Sequence, residues 1–128
     1  DRLNPGQQQP ESDHGFKSEG SEMGLQSNKH FRNAKGWFSY DLKNPAKDAR
    51  ILRLTYYGKD TGREFDIYLN DVKLASETFK GEKGDKFFDV DYELPKAVTQ
   101  QGKDKLTLRF EAKSGSRTAD VYYIRLLR

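Results

Sequence analysis

From Gly36 onward, apolar and polar residues alternate along the chain in six short runs. Apolar residues spaced two apart are typical of a β-strand that buries one face. The six apolar sets are Phe38, Tyr40 and Leu42; Leu52, Leu54 and Tyr56; Phe65, Ile67 and Leu69; Phe88, Val90, Tyr92 and Leu94; Leu106, Leu108 and Phe110; and Tyr122, Ile124 and Leu126. No long amphipathic helix is predicted, and only residues 96–102 suit a single helical turn. The pattern predicts a core made of strands.

Turn-forming residues separate these runs. They lie at Asn44-Pro45, 58–62, 81–84 and 114–116. The sharpest turn is predicted at Asn70-Asp71, because both residue types tolerate the positive φ that a two-residue hairpin turn requires. Such a turn places Leu69 opposite Val72. Two residues farther from the turn, Ile67 would face Leu74, so that all four side chains lie on one face of the hairpin.

Eight or nine short strands at regular spacing predict an all-β fold. The expected architecture is an antiparallel β-sandwich, jelly-roll-like and similar to galactose-binding domains, over residues 11–128. Residues 1–10 hold two prolines, three consecutive glutamines and one aliphatic residue, Leu3, and are interpreted as a linker that the fold does not need. Residues 13–35 are polar and predict one or two short strands. Their candidate apolar anchors are Phe16, Met23, Leu25 and Phe31.

Composition narrows the class of protein. Hydrophobic residues make up only 34% of the 128 positions and the mean hydropathy is −1.00, but 12% of the residues are aromatic, which favours a small aromatic core over disorder. The absence of cysteine excludes disulfides, a thiol nucleophile and cysteine–zinc sites. No segment is apolar enough to span a membrane, and the basic residues are interspersed with acidic ones. Neither a membrane nor a nucleic acid is therefore an expected partner.

The sequence offers no clear catalytic or metal-binding set. Acidic residues two apart, such as Asp89 and Asp91, point to the same solvent side of one strand, whereas a glycosidase needs two carboxylates across a cleft. The acidic residues beside His14 match no zinc spacing. No catalytic residue, metal site or cofactor is predicted. A structural calcium ion is left open, with Asp60 and Asp66 as candidate ligands.

Four aromatic residues fall on the face opposite the predicted core positions of their strands. They are Trp37, Tyr57, Tyr68 and Tyr123. Aromatic rings in such places can stack on sugar rings, dock against another domain, or pack under loops of a two-layer sandwich. We treat these four residues as candidates for ligand binding or domain docking, with all three interpretations open.

Several segments read together resemble a known C-terminal module. The most specific is Gly36-Trp37-Phe38-Ser39-Tyr40-Asp41-Leu42. The other matching segments lie at 31–35, 54–58, 63–67, 87–89, 94–95, 108–110 and 124–127. Together they are similar to the β-sandwich module that closes the large enzymes of glycoside hydrolase family 127 and its relatives, which include β-L-arabinofuranosidases of gut Bacteroides-type bacteria. The resemblance spans about residues 11–128.

This resemblance implies a non-catalytic accessory domain that buttresses a catalytic (α/α)6 barrel and also contacts a plant-type oligosaccharide. In that family the chemistry belongs to the barrel, whose zinc-associated cysteine and glutamates have no counterpart in this chain. A periplasmic or extracellular location is implied as well. An autonomous carbohydrate-binding module is the alternative. A free-standing enzyme is disfavoured, because neither a nucleophile nor an acid/base pair stands out.

Overall fold

A computed structural model describes residues 1–100 and 104–128 of the chain. Within them, nine strands and two short helices follow one another in the order β1 (Arg2–Leu3), α1 (Gln8–Asp13), β2 (Lys17–Gln26), β3 (Lys29–Lys43), β4 (Ile51–Tyr57), β5 (Thr61–Leu69), β6 (Val72–Lys80), β7 (Phe87–Glu93), α2 (Lys96–Thr99), β8 (Lys105–Ala112) and β9 (Tyr123–Leu127). The predicted helical turn corresponds to α2, and residues 101 and 102 lie outside the described residues. No helix of the described part has the length and hydrophobicity needed to cross a membrane.

The strands form two antiparallel sheets, which confirms the predicted all-β sandwich. One sheet has the order β1-β9-β4-β7, and the other has the order β2-β3-β8-β5-β6. The core lies between them and takes alternate residues from each strand, because successive side chains of a strand point to opposite faces. Its largest fully buried side chains are Tyr40, Tyr56, Phe38, Phe65, Phe110, Leu42, Leu52, Leu54, Ile67, Leu69, Leu106 and Leu108. All twelve belong to the six predicted apolar sets.

The β5–β6 hairpin has the predicted turn but a different register. Asn70 and Asp71 both have positive φ, 48° and 64°, and Leu69 pairs with Val72 as expected. A β-bulge follows, so that Ile67 pairs with Ala75 and not with Leu74. The bulge changes which side chains share a face. The predicted pairing of Ile67 with Leu74 is therefore wrong, and Val72 is 47% exposed.

Residues 1–10 are part of the sandwich, and the linker interpretation is wrong for them. β1 extends the first sheet by pairing with β9, with Leu3 opposite Ile124, and Leu3 is only 2% exposed. The carbonyl oxygen of Asp1 also accepts a hydrogen bond from the backbone N–H of Leu126 (2.8 Å). The composition of this segment does not predict that it is ordered, because a single buried leucine and a free strand edge suffice to order a short strand.

The β2–β3 hairpin forms the predicted strands of residues 13–35 but uses only some of the predicted anchors. Met23 and Leu25 are 64% and 57% exposed, so neither is an anchor. Phe16 stacks on buried Tyr40 with the ring centroids 5.4 Å apart. A backbone bridge between Arg32 and Val121 ties this hairpin to the segment that leads into β9.

Candidate functional site

Four connections meet at one end of the sandwich because the strands alternate in direction. They are residues 27–28 between β2 and β3, 58–60 between β4 and β5, 81–86 between β6 and β7, and 113–122 before β9. We call this end the aromatic end. Loops at the end of a rigid sandwich can carry binding residues without disturbing the core.

An aromatic cluster forms the wall of this end. Tyr122 packs against Phe87 at 4.9 Å, Phe31 at 5.5 Å and Tyr57 at 6.4 Å between ring centroids. Tyr57 and Phe87 are 5.1 Å apart. The Lys29 ammonium lies 5.5 Å from the centre of the Phe87 ring, within the range of a cation–π contact. This cluster, named the aromatic wall, separates two concavities.

The first concavity, named the Tyr123 groove, has a volume of about 460 Å³. Its lining residues are Asn4, Gln7, Asn28, Lys29, His30, Thr55, Phe87, Asp89, Tyr122, Tyr123 and Arg125. Asp89 receives hydrogen bonds from the Thr55 hydroxyl (2.5 Å) and from Arg125 Nη2 (3.0 Å). The Arg125 guanidinium lies 4.6 Å from the centre of the Tyr123 ring. These contacts hold an aromatic ring and planar polar groups in fixed positions along the groove.

The second concavity, named the acidic cleft, has a volume of about 370 Å³. Its lining residues are Gln26, Tyr57, Lys59, Asp60, Thr61, Arg63, Asp85, Asp120 and Tyr122. Arg63 lies between two carboxylates, with Nη1 2.9 Å from Asp120 Oδ1 and Nη2 3.7 Å from Asp60 Oδ1. The backbone N–H of Asp120 donates to Asp60 Oδ2 (2.8 Å). Two buried carboxylates thus share one guanidinium.

The acidic cleft contains two features that disfavour folding. Burial, and then the neighbouring Asp120 carboxylate, raise the pKa of Asp60 to about 6, although Arg63 acts in the opposite direction. The hydroxyl of Tyr122, a residue only 3% exposed, has no hydrogen-bond partner among the described residues. A buried hydroxyl without a partner disfavours folding by about 1–3 kcal/mol. Both features lie beside the aromatic wall.

Asp60→Asn is expected to stabilise the domain at neutral pH. An acid whose pKa is raised on folding binds more protons in the folded state, so stability falls as pH rises from about 4 to about 6 and is then constant. Asparagine keeps an acceptor for the Asp120 N–H but has no charge, and we expect a gain of about 1–3 kcal/mol at pH 7. Urea unfolding between pH 4 and 7.5 measures this. Asp91→Asn, at an exposed ion pair with Arg53, is the matched control. A fall in stability for Asp60→Asn would contradict the prediction.

The structure divides the four predicted aromatic residues between the two sheets. Tyr123 lines the Tyr123 groove, and Tyr57 lies in the aromatic wall and lines the acidic cleft. Trp37 and Tyr68 lie on the outer face of the other sheet, half-buried, with β8 between their strands. The Arg109 guanidinium lies 4.5 Å from the centre of the Tyr68 ring. The four residues therefore do not form one site.

Sequence reasoning missed most of the aromatic end. Tyr122 occupies a core position in the alternating pattern of its strand, and Phe87 lies just before the alternating run that begins at Phe88. The sequence therefore predicts neither residue as a site residue. The sequence leaves Asp60 and Asp66 together as candidate ligands of a calcium ion. The structure separates them: Asp66 accepts from the Ser76 hydroxyl (2.5 Å) on the outer face of its sheet. No group of three or more histidine, aspartate or glutamate side chains is placed to hold a metal ion in residues 1–100 and 104–128.

The position of Trp37 leads to a stability prediction. It is half-buried, and its neighbours on adjacent strands are Glu19 and Glu111. Trp37→Ala should lower the free energy of unfolding by about 1–2 kcal/mol, below the 3–5 kcal/mol of a fully buried tryptophan. It is the only tryptophan of the chain, so its fluorescence reports on this site alone, and iodide should quench it partially. Full quenching, together with unchanged stability of Trp37→Ala, would contradict the prediction and mean that the indole is fully exposed to solvent.

The sequence profile of one family matches residues 1–127. This chain belongs to the family of unknown function DUF6805. No curated protein matches this DUF6805 domain.

Solved structures similar to the DUF6805 domain share its fold. A family 35 carbohydrate binding module from an environmental isolate matches with a TM-score of 0.72 and 14% identity, covering 99% of this chain and 92% of the other. A CBM35 from Paenibacillus barcinonensis has a TM-score of 0.62 and 14% identity, with 100% and 98% covered. The C-terminal CBM6 of LamC, a marine laminarinase from Zobellia galactanivorans, has a TM-score of 0.64 and 12% identity, with 99% and 98% covered.

Proposed function

We propose that this DUF6805 domain is a non-catalytic accessory domain of a glycoside hydrolase related to family 127, which buttresses the catalytic barrel and contacts glycan at the aromatic end. The observation that carries the glycan contact is the Tyr123 groove. The sequence resemblance to the C-terminal module of that enzyme family supports the enzyme context. The same resemblance supports a periplasmic or extracellular location.

The groove has the chemistry that a sugar requires. A sugar ring has an apolar face of C–H groups, which stacks on Tyr123 or Phe87, and a rim of hydroxyls that both donate and accept hydrogen bonds. Asp89 and Arg125 are held in place by their mutual contact, so little side-chain entropy is lost when a ligand binds. Nearby amides, such as Asn28, add donors and acceptors. A larger concavity of about 740 Å³ lies at the opposite end, but none of its described lining residues is aromatic.

The outer face with Trp37 and Tyr68 is the proposed surface for the barrel. Two half-buried aromatic rings lie there among ion pairs, such as Arg109 with Asp71 at 2.8 Å. Aromatic and arginine side chains are enriched at interfaces between proteins. This assignment leaves the aromatic end free to reach a substrate. Trp37 and Tyr68 then serve docking, while Tyr57 and Tyr123 serve the ligand.

An autonomous carbohydrate-binding module is the second candidate. The observation that favours it is that side chains of this chain alone form the Tyr123 groove. Under this alternative the domain holds an enzyme on polysaccharide without supporting the barrel. The two candidates differ in the role of the Trp37 face and agree on the groove.

The isolated domain is expected to bind oligosaccharides and to hydrolyse none. Calorimetric titration with arabinan, xylan, glucan and galactan oligosaccharides measures affinity, and chromogenic glycosides measure turnover. Tyr123→Ala should weaken binding at least tenfold, because it removes the stacking surface. Met23→Ala, at an exposed position outside the groove, is the control. If none of these oligosaccharides binds, neither candidate function can include contact with a glycan. Turnover abolished by one carboxylate substitution would contradict the non-catalytic assignment.

A further inference from the structure

The acidic cleft brings together groups that disfavour folding and that a ligand could satisfy. They are the Asp60 and Asp120 carboxylates, which share one guanidinium, and the unpartnered Tyr122 hydroxyl. Groups of this kind persist in folded proteins chiefly where function requires them. The cleft shares Tyr122 with the Tyr123 groove, so a ligand lying along the aromatic end would reach both.

The charge of the cleft indicates which ligand would fit. Three carboxylates and two cationic side chains line it. Lys59 is paired with Asp85 at the rim (3.5 Å), and Arg63 alone is shared between the two buried carboxylates. One negative charge therefore has no counter-ion among the described lining residues. A ligand that carries an anionic group would be repelled here, and one that carries a cation would be attracted.

The aromatic wall favours a cation as well. The faces of aromatic rings attract ammonium groups, and on the side of the aromatic wall that faces the Tyr123 groove Lys29 lies over Phe87 at 5.5 Å. Tyr57 and Tyr122 line the cleft itself. Both rings are more than nine-tenths buried and contribute only a small part of the cleft wall, while Asp60 and Asp120 accept hydrogen bonds from the ammonium and hydroxyl groups of a sugar.

We propose that the acidic cleft binds an amine-bearing sugar residue of a glycan, with Asp60 and Asp120 receiving the ammonium group and Tyr122 completing the hydrogen bonds. This inference rests on the proposed function, since it assumes that the ligand at the aromatic end is a glycan. The Tyr123 groove then binds the neighbouring residue of the same chain. Asp60 is the residue that determines the preference for the amine.

The test compares sugars that differ in one group. The domain is titrated calorimetrically at pH 7 with glucosamine oligosaccharides, their N-acetylated counterparts, glucose oligosaccharides and galacturonate oligosaccharides. We expect the free amine to bind at least tenfold more tightly than the acetylated or neutral sugar, and this preference to weaken with added salt. Asp60→Asn and Tyr122→Phe should each remove most of the preference, whereas Asp91→Asn should retain it.

Stability measurements on the same variants separate binding from folding. Asp60→Asn and Tyr122→Phe remove groups that disfavour folding, so both should be at least as stable as the parent domain while losing the preference for the amine. Equal affinity for amine and neutral sugars would overturn the inference and leave the proposed function intact. Binding of Ca²⁺ that Asp60→Asn abolishes, with no preference for the amine, would overturn it in favour of a cation site. Failure of all four sugars to bind would overturn this inference, whereas the proposed function is decided by the titrations with arabinan, xylan, glucan and galactan oligosaccharides.

Discussion

Replacing Glu11 with alanine is expected to lower the free energy of unfolding by about 3–5 kcal/mol. Glu11 is buried, and its Oε2 receives hydrogen bonds from Arg32 Nε (2.6 Å), the Tyr40 hydroxyl (2.6 Å) and the Gly6 N–H (3.0 Å). Arg32 Nη2 donates to Oε1 (2.9 Å). Without the carboxylate, the buried guanidinium has lost its counter-ion and two further donors have no acceptor. Chemical denaturation at pH 7 measures the change.

The control for this prediction is Asp13→Ala, an exposed carboxylate of the same helix, which should change stability by no more than about 0.5 kcal/mol. A double-mutant cycle with Arg32→Ala isolates the ion pair, and the two losses should be strongly non-additive. A loss for Glu11→Ala as small as that of Asp13→Ala would show that water replaces the carboxylate.

The same ion pair gives a pH dependence of known sign. Burial alone would raise the pKa of Glu11, but the hydrogen bonds from Arg32, Tyr40 and Gly6 outweigh burial and hold it below the usual value of 4.5. A lowered pKa contributes stability above that value, and the contribution is lost as the pH falls through the folded-state pKa. As the pH is lowered, the free energy of unfolding of Glu11→Ala should therefore fall less steeply than that of the parent chain.

Deleting residues 1–10 is expected to lower the free energy of unfolding by about 3–5 kcal/mol and the melting temperature by about 10 °C or more. The deletion removes Leu3 from the core, the β1–β9 pairing and the Gly6 donor to Glu11. A domain of this size has a total stability of only about 5–15 kcal/mol. Thermal unfolding of a chain starting at Glu11 measures the loss.

Two single substitutions identify the cause of that loss. Leu3→Ala should account for about 2–3 kcal/mol because the leucine is almost fully buried, whereas Arg2→Ala, exposed on the same strand, should have almost no effect. A truncated chain that melts within two or three degrees of the full chain would restore the linker interpretation.

Of the candidate site, the sequence identified separate members but not their grouping. Tyr57 and Tyr123 are predicted candidates because alternation places them opposite the core positions of their strands, and both lie at the aromatic end. Trp37 and Tyr68 are candidates by the same rule but lie on the other sheet. Alternation gives the face of a strand but not the end of the sandwich at which a residue lies. That position depends on strand direction and sheet order.

By itself, the sequence determined the all-β class, most of the core and the Asn70-Asp71 turn, because these depend on periodicity and on the φ preferences of single residues. Only the tertiary structure decided the contacts between residues that are far apart in the sequence. β1 joins β9 from the other end of the chain, Glu11 meets Arg32, and Asp60 meets Asp120. A local pattern contains no signal for such contacts, since whether a carboxylate is buried, and what faces it, depends on segments brought together only by folding.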